Sequence, residues 1–172
     1  MTSDNAYLLE KITRAGNFPC TFGKALVEKG NFMIDSFPTI NTQETAAGIC
    51  HGVYRFIEAF GIQKLGQLQK PQSHHFASYI AVFPEQKFLG NEDAAHALHS
   101  LFYQMHLYNK AQGNDWAEGV SNDPKSPQFS FSIGREAFFV PFLYSGSYSP
   151  ARRSPIPLLV FNSHKLFDLL KR

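Results

Sequence analysis

From Ser126 to His164 the chain reads SPQFSFSIGREAFFVPFLYSGSYSPARRSPIPLLVFNSH, and the periodicity of this run leaves few choices of fold. Phe129, Phe131 and Ile133 alternate with Ser130 and Ser132. A period of two sends one set to a core and the other to the opposite face of a sheet. Ser130 and Ser132 are therefore expected on a polar sheet face, with solvent as the simplest neighbour. Gly134, Arg135 and Glu136 supply a turn. Ala137 to Tyr144 is apolar almost throughout, as in a strand covered on both faces, and Pro141, which lacks an amide hydrogen, forces a ladder gap or a bulge there. A third strand is expected from Leu158 to Phe161. The polar loop Ser145 to Ser154 between the last two strands is long enough to do more than connect them.

The rest of the chain alternates helices with strands. Asp4 can cap a first helix to about Ala15, and Gly16 ends it. After the turn Asn17 to Cys20, a short helix runs from Thr21 to Lys29. Cys20 then lies at or just before a helix amino terminus with Lys24 nearby, and both features lower a thiol pKa. A strand follows from Phe32 to Phe37, closed by Pro38. Thr42 or Asn41 caps a helix whose apolar stripe is Ile49, Val53, Phe56, Ile57 and Phe60. Cys50 lies on this helix and reads as a small buried hydrophobe. His74 and His75 open a strand from Phe76 to Phe83, where neighbours point to opposite faces and cannot chelate one metal together. Asn91 is expected to cap a long helix to about Asn109 with Leu98, Leu101, Phe102, Met105 and Tyr108 inward, while His99 and His106 share one face at the margin of that stripe. Lys110 to Pro127 is polar and contains the only Trp. Asn162 or Ser163 caps a final helix. The sum is one α+β domain spanning residues 1–172, with a mostly antiparallel sheet of about five strands and four to five helices.

Composition excludes several functions. With 16 basic and 14 acidic residues, and adjacent basic residues only at Arg152-Arg153 and Lys171-Arg172, there is no clustered basic surface for nucleic acid. Two widely spaced cysteines, no secretory leader and no apolar run able to span a bilayer point to the cytoplasm, with reduced thiols and no membrane partner. No Gly-x-Ser-x-Gly elbow, zinc-protease histidine pair, phosphate-binding glycine loop or dinucleotide fingerprint occurs. Most of the 17 Phe are core.

The order of motifs resembles the YqcI/YcgG family. The segments are Phe18-Pro-Cys20, Trp116-Ala-Glu-Gly-Val-Ser-Asn-Asp-Pro124, Phe129-Ser-Phe-Ser132, Ala137-Phe-Phe-Val140, Leu143 to Arg153 and Pro157-Leu-Leu-Val-Phe-Asn-Ser-His164. The family pattern has Asp where this chain has Ala117, and His where it has Tyr144. The resemblance implies a haem-dependent enzyme that hydroxylates a guanidine or amine nitrogen of a small amino acid or related compound. Its cofactor is then haem b, with iron held by Cys20 or, as alternatives, His106 or Tyr144. Thiolate and phenolate both serve as haem ligands elsewhere. Met105-His106-Leu107 falls where members of the family carry a Leu-His pair.

The same resemblance implies a carboxylate clamp at Arg152 and Arg153, for haem propionates or for the substrate, since guanidinium pairs well with carboxylates. A solvated basic turn is the other reading of that pair. Ser147 and Ser149 are candidate donors beside it. With Ala117 in place of Asp, the candidates for holding a cationic substrate end are Asp115, Glu118 and Asp123. Partners would be a small cationic amino acid or amine and an electron donor that the sequence does not name, with a homodimer as a possible assembly. Two other readings stand beside this one: a non-catalytic haem sensor or carrier, and a relative without haem.

Overall fold

A computed structural model describes residues 31–67 and 77–170 of the chain. The helices expected before Gly30, Cys20, His74 and His75 lie outside the described residues. Six strands form one sheet: β1 (Phe32–Ser36), β2 (Ser78–Val82), β3 (Phe131–Ile133), β4 (Glu136–Phe139), β5 (Phe142–Leu143) and β6 (Leu158–Ser163). The order is β1-β2-β6-β4-β3, with β5 also pairing with β6. Only β1 and β2 run parallel. Three α-helices are present among the described residues: α1 (Gln43–Ala59), α2 (Asn91–Ala111) and α3 (His164–Leu170). The architecture is the α+β fold with a mostly antiparallel sheet that the sequence pattern implies. None of these helices is long and apolar enough to cross a membrane.

Alternation along the strands explains how the core divides. Tyr79, Ala81, Phe83, Leu159, Phe161 and Phe142 face the main core, together with Ile49, Val53 and Phe56 of α1 and Leu101 and Met105 of α2. Ile34, Val82, Leu143 and Leu158 form a smaller cluster with Ile80 and Val160. Alternate positions within each strand thus fall on opposite faces of the sheet. The main core buries several large aromatic rings, and Phe56, Phe83, Phe138 and Phe161 are almost fully enclosed.

The hairpin is tighter than its sequence suggests. Phe131 pairs with Phe138 and Ile133 with Glu136, so the turn is Gly134-Arg135 alone and Glu136 opens β4. Both turn residues have positive φ, 59° and 64°. This is the primed geometry that matches the twist of an antiparallel pair. A Cβ at Gly134 would also stand 2.9 Å from Ile57 Cδ1 and 3.2 Å from Tyr54 Cδ1, so both side chains would have to give way.

Pro141 divides the expected second strand into β4 and β5. Pairing Phe139 with Asn162 and Phe142 with Leu159 spends three residues on each side, so the ladder has a gap and not a bulge. The Pro141 carbonyl still accepts from Val160 N at 3.2 Å. Phe129 falls before β3 and is exposed. Ser130 and Ser132 are buried instead of facing solvent, because the hairpin packs on both sides.

Two expected caps are corrected. Thr42 caps α1, its hydroxyl accepting from Thr45 N, but the residue preceding α2 is Gly90 and has no side chain to contribute. The Asn91 amide oxygen instead accepts from Tyr144. Asn162 remains in β6, where its Oδ1 accepts from Ser78 Oγ at 2.6 Å and its Nδ2 donates to Phe139 O.

Cys50 behaves as the buried hydrophobe its position implies. It is fully enclosed, with Sγ 3.6 Å from Met105 O, and burial pushes its pKa from 9.0 up to about 12. Burial likewise raises Tyr54 from 10.0 to about 12. In the unfolded chain both groups lose protons at lower pH, so the folded state binds more protons across that window and stability falls as pH rises from about 9 toward about 12. In urea titrations at stepped alkaline pH, the midpoint should begin to fall near pH 9, and Cys50→Ala should show a shallower initial decline. Parallel curves for parent and variant would remove Cys50 as a cause.

Candidate functional site

A cleft of about 630 Å³ opens where three segments meet: the stretch after α2, the hairpin tip and the start of α3. It is lined by Asp115 to Val120, by Arg135, Glu136 and Ala137, and by His164, Lys165 and Asp168. This volume lies within the range of about 300–1,000 Å³ common for small-molecule sites.

Each wall has a local cause. Beyond the end of α2, Gly113 turns the chain with a φ of 76° that no β-branched residue would adopt readily. Its amide donates to Lys110 O, and that of Asn114 donates to Asn109 O. The following segment is held by Trp116, whose indole Nε1 donates to Ser121 O at 3.1 Å. Ser121 is in turn bridged to the strand start, accepting from Ser130 N and donating to Gln128 O through its backbone. The hairpin tip is pinned from behind by Asn109, which is 1 % exposed. Its Oδ1 accepts from Gly134 N at 2.9 Å and from Tyr54 Oη at 3.0 Å.

Charge in the cleft is mixed. The Glu136 carboxylate is only 3 % exposed and lies 2.6 Å from Lys165 Nζ, whose side chain is 44 % exposed. Asp115, 91 % exposed, is 3.9 Å from an Arg135 nitrogen, an ion pair that water screens almost completely. Glu118 is exposed at the rim. On the inner side, Ser130 Oγ donates to Phe138 O and meets His164 Nε2 at 3.0 Å.

His106 projects from α2 beside this cleft. Its ring packs edge-on against Trp116, centroids 5.6 Å apart, and Trp116 in turn packs against Phe129 and Phe131. His106 Nδ1 is buried without a hydrogen-bond partner. Such an atom carries its desolvation cost without a compensating hydrogen bond.

The Arg152 and Arg153 loop forms a second, separate cluster. Tyr144 stacks on Phe142, centroids 5.0 Å apart, and donates its hydroxyl to Asn91. Tyr144 N donates to Arg152 O, Ser147 N to Tyr144 O, and Arg153 Nε to Ser147 O at 3.0 Å. Ser147 is buried, whereas Ser149, Arg152 and Arg153 are exposed. None of these residues lines the cleft. Asn91 and His106 are fifteen residues apart on one helix, a separation of about 22 Å along its axis. Tyr144 and His106 therefore belong to different places, and the structure does not bring the two arginines together with Asp115 and Glu118. Asp123 accepts from Lys125 N in a turn of its own.

The cleft residues that the sequence reading missed are Arg135, Glu136, His164, Lys165 and Asp168. One signal was available: Glu136 is a lone charge at the start of an apolar strand, and such a residue needs a partner if it faces inward.

Fold and cleft together define an α+β protein with a charge-lined recess of small-molecule size beside a histidine whose Nδ1 has no hydrogen-bond partner. Residues 8–172 match the YqcI/YcgG family, and the chain belongs to that family. No curated protein and no solved structure matches it.

Proposed function

We propose that this chain is a haem-dependent N-hydroxylase, acting on a guanidine or amine nitrogen of a small amino acid or related compound bound in the cleft. The observation that carries the reading is the unpartnered His106 Nδ1, set against the same Trp116 that lines the cleft. An imidazole nitrogen is an ordinary haem donor, and His106 is the described residue that supports this role. Cys50 does not, because a thiol raised to about 12 stays protonated near neutral pH. Among the described residues, no three His, Cys, Asp or Glu side chains stand together as a metal-ion site, and haem would not call for such a cluster. Cys20 remains the alternative donor.

Haem, when bound, supplies the oxidising chemistry that a poorly nucleophilic guanidine nitrogen requires. The chain's own residues hold the substrate. Position 117, where the family resemblance expects Asp, lines the cleft and is Ala here, which leaves Asp115 and Glu118 at the rim and Glu136 deeper for a cationic end. Trp116 and Ala117 give the recess apolar wall, and a fixed substrate pose contributes to rate by orientation.

The test is hemin titration of the purified chain. A saturable Soret band is expected at one haem per chain, and His106→Ala should lower affinity or change the band. A chain that shows no Soret band with hemin would overturn the haem reading. Full, spectrally unchanged binding by His106→Ala would transfer the ligand to another residue.

A further inference from the structure

We propose that Glu136 and Lys165 are the specificity-determining pair of the cleft, selecting a ligand with an ammonium and a carboxylate on neighbouring atoms, the head of an α-amino acid. The inference deepens the reading of the cleft as a substrate site and rests on it.

The pair has unused capacity on both sides. A carboxylate has two oxygens and about four acceptor positions. Glu136 uses Oε1 on Lys165, and no other hydrogen bond to its side chain is present among the described residues. Glu136 is 3 % exposed and is one of the residues that line the cleft. Lys165 has three ammonium donors, and Glu136 is its partner among the described residues. A spare acceptor on a nearly buried anion thus adjoins spare donors on a half-exposed cation, 2.6 Å away. A zwitterionic head laid antiparallel to this pair satisfies both at once.

Stability alone does not account for the arrangement. A carboxylate enclosed to this degree loses hydration that one lysine restores only in part, and a matched apolar pair is often as stable or more so. The other charged groups of the cleft do not substitute. Arg135 donates to Gly113 O at 3.3 Å and faces Asp115, while Asp115 and Glu118 lie at the exposed rim. His164 is engaged by Ser130 through Nε2, and Asp168 adds a further negative charge to the wall. Arg152 and Arg153, the carboxylate clamp expected from the sequence, do not line the cleft. Lys165 is the cation placed to take that role.

The experiment is isothermal titration calorimetry of the full chain, without added haem, against three probes: L-arginine, agmatine (which lacks the carboxylate) and 5-guanidinopentanoate (which lacks the ammonium). L-arginine should bind at least about tenfold more tightly than either truncated compound, the scale set by one charged hydrogen bond. Lys165→Met should abolish the preference over agmatine, and Glu136→Gln should abolish the preference over 5-guanidinopentanoate. Far-UV circular dichroism checks folding, and Lys165→Arg, which keeps the ion pair, should retain the preference where Lys165→Met is unfolded. Agmatine binding as tightly as L-arginine to the parent overturns the head-group site and leaves an amine site. No binding of any of the three overturns the cleft as a substrate site, and this proposal with it.

Discussion

Gly52→Ala is expected to cost about 3 kcal/mol of stability, at the upper end of what overpacking a core does. A Cβ on Gly52 would stand 2.1 Å from the Tyr79 hydroxyl and 2.4 and 2.5 Å from two of its ring carbons. The ring has nowhere to retreat. Tyr79 is fully buried, packs against Phe56 and Phe161, and donates its hydroxyl to Asp35 Oδ2 at 2.9 Å. Burial, reinforced by the Asp35 carboxylate, holds its pKa well above the usual phenol value, so it remains a donor. Asp35 is steadied from outside by Arg55 at 2.6 Å. Gly52 is therefore the position on α1 that lets the helix approach β1 and β2. Urea denaturation of the parent, Gly52→Ala, Tyr79→Phe and the double variant checks this. Removing the hydroxyl deletes the nearest clash, so Tyr79→Phe should be less damaging in the alanine background than in the parent, a coupling of about 0.5–3 kcal/mol. Strict additivity would show that α1 shifts bodily and that the ring is not the obstacle.

Neither Gly52 nor its constraint is visible in the sequence, because a glycine on an amphipathic helix looks the same whether it faces water or a tyrosine ring. What the sequence does disclose is periodic. The apolar stripe of α1, the alternation of Phe131 with Ile133 and the continuous run Leu158 to Phe161 placed the core elements correctly, since burial acts on every residue of a strand or helix face in the same way. Single polar residues were less legible. Asn91 and Asn162 are good local caps by type, yet both spend their amides on residues distant in sequence, Tyr144 and Ser78, and one side chain cannot announce which of two equally strong hydrogen bonds it will make. Ser130 fits a solvent face until His164 and the Phe138 carbonyl meet its hydroxyl, and Ser132, also buried, donates to Ser130 O.

The candidate site was legible in part for the same reason. Asp115, Glu118 and position 117 were identified through a motif carried by one contiguous segment, and that segment forms one wall of the cleft. The opposite wall comes from Glu136 and Lys165, 29 residues apart in the chain and joined only by pairing in the sheet. The serine and arginine loop attracted attention by composition, but it lies outside the cleft: Arg153 Nε donates to Ser147 O, and Arg152 is held in the turn through its backbone, to Ser149 O and from Tyr144 N.

Asn109→Ala should show how the fold supports the cleft from a residue that does not line it. The Asn109 side chain is buried between α1, α2 and the hairpin tip, and its single Oδ1 accepts from both Gly134 N and Tyr54 Oη. Alanine leaves the buried Gly134 amide without this partner, at a cost of about 1–3 kcal/mol, and adds a small cavity. Tyr54 still receives the Asn114 amide at 3.3 Å, so most of the loss falls on the tip. A loss of about 3 kcal/mol is expected in urea titrations, with Asn109→Leu no better than alanine because volume without an acceptor does not satisfy the amide. The functional consequence follows from the tightness of the turn. Gly134 and Arg135 are both held at positive φ, a conformation that costs Arg135 energy and needs support. Freed of its pin, the tip should sample other geometries, with faster amide hydrogen exchange at Gly134 and Arg135. Glu136, the next residue, should then hold L-arginine more weakly although its own ion pair with Lys165 is untouched. Unchanged exchange at the tip alongside lowered global stability would assign Asn109 to packing alone and detach it from the cleft.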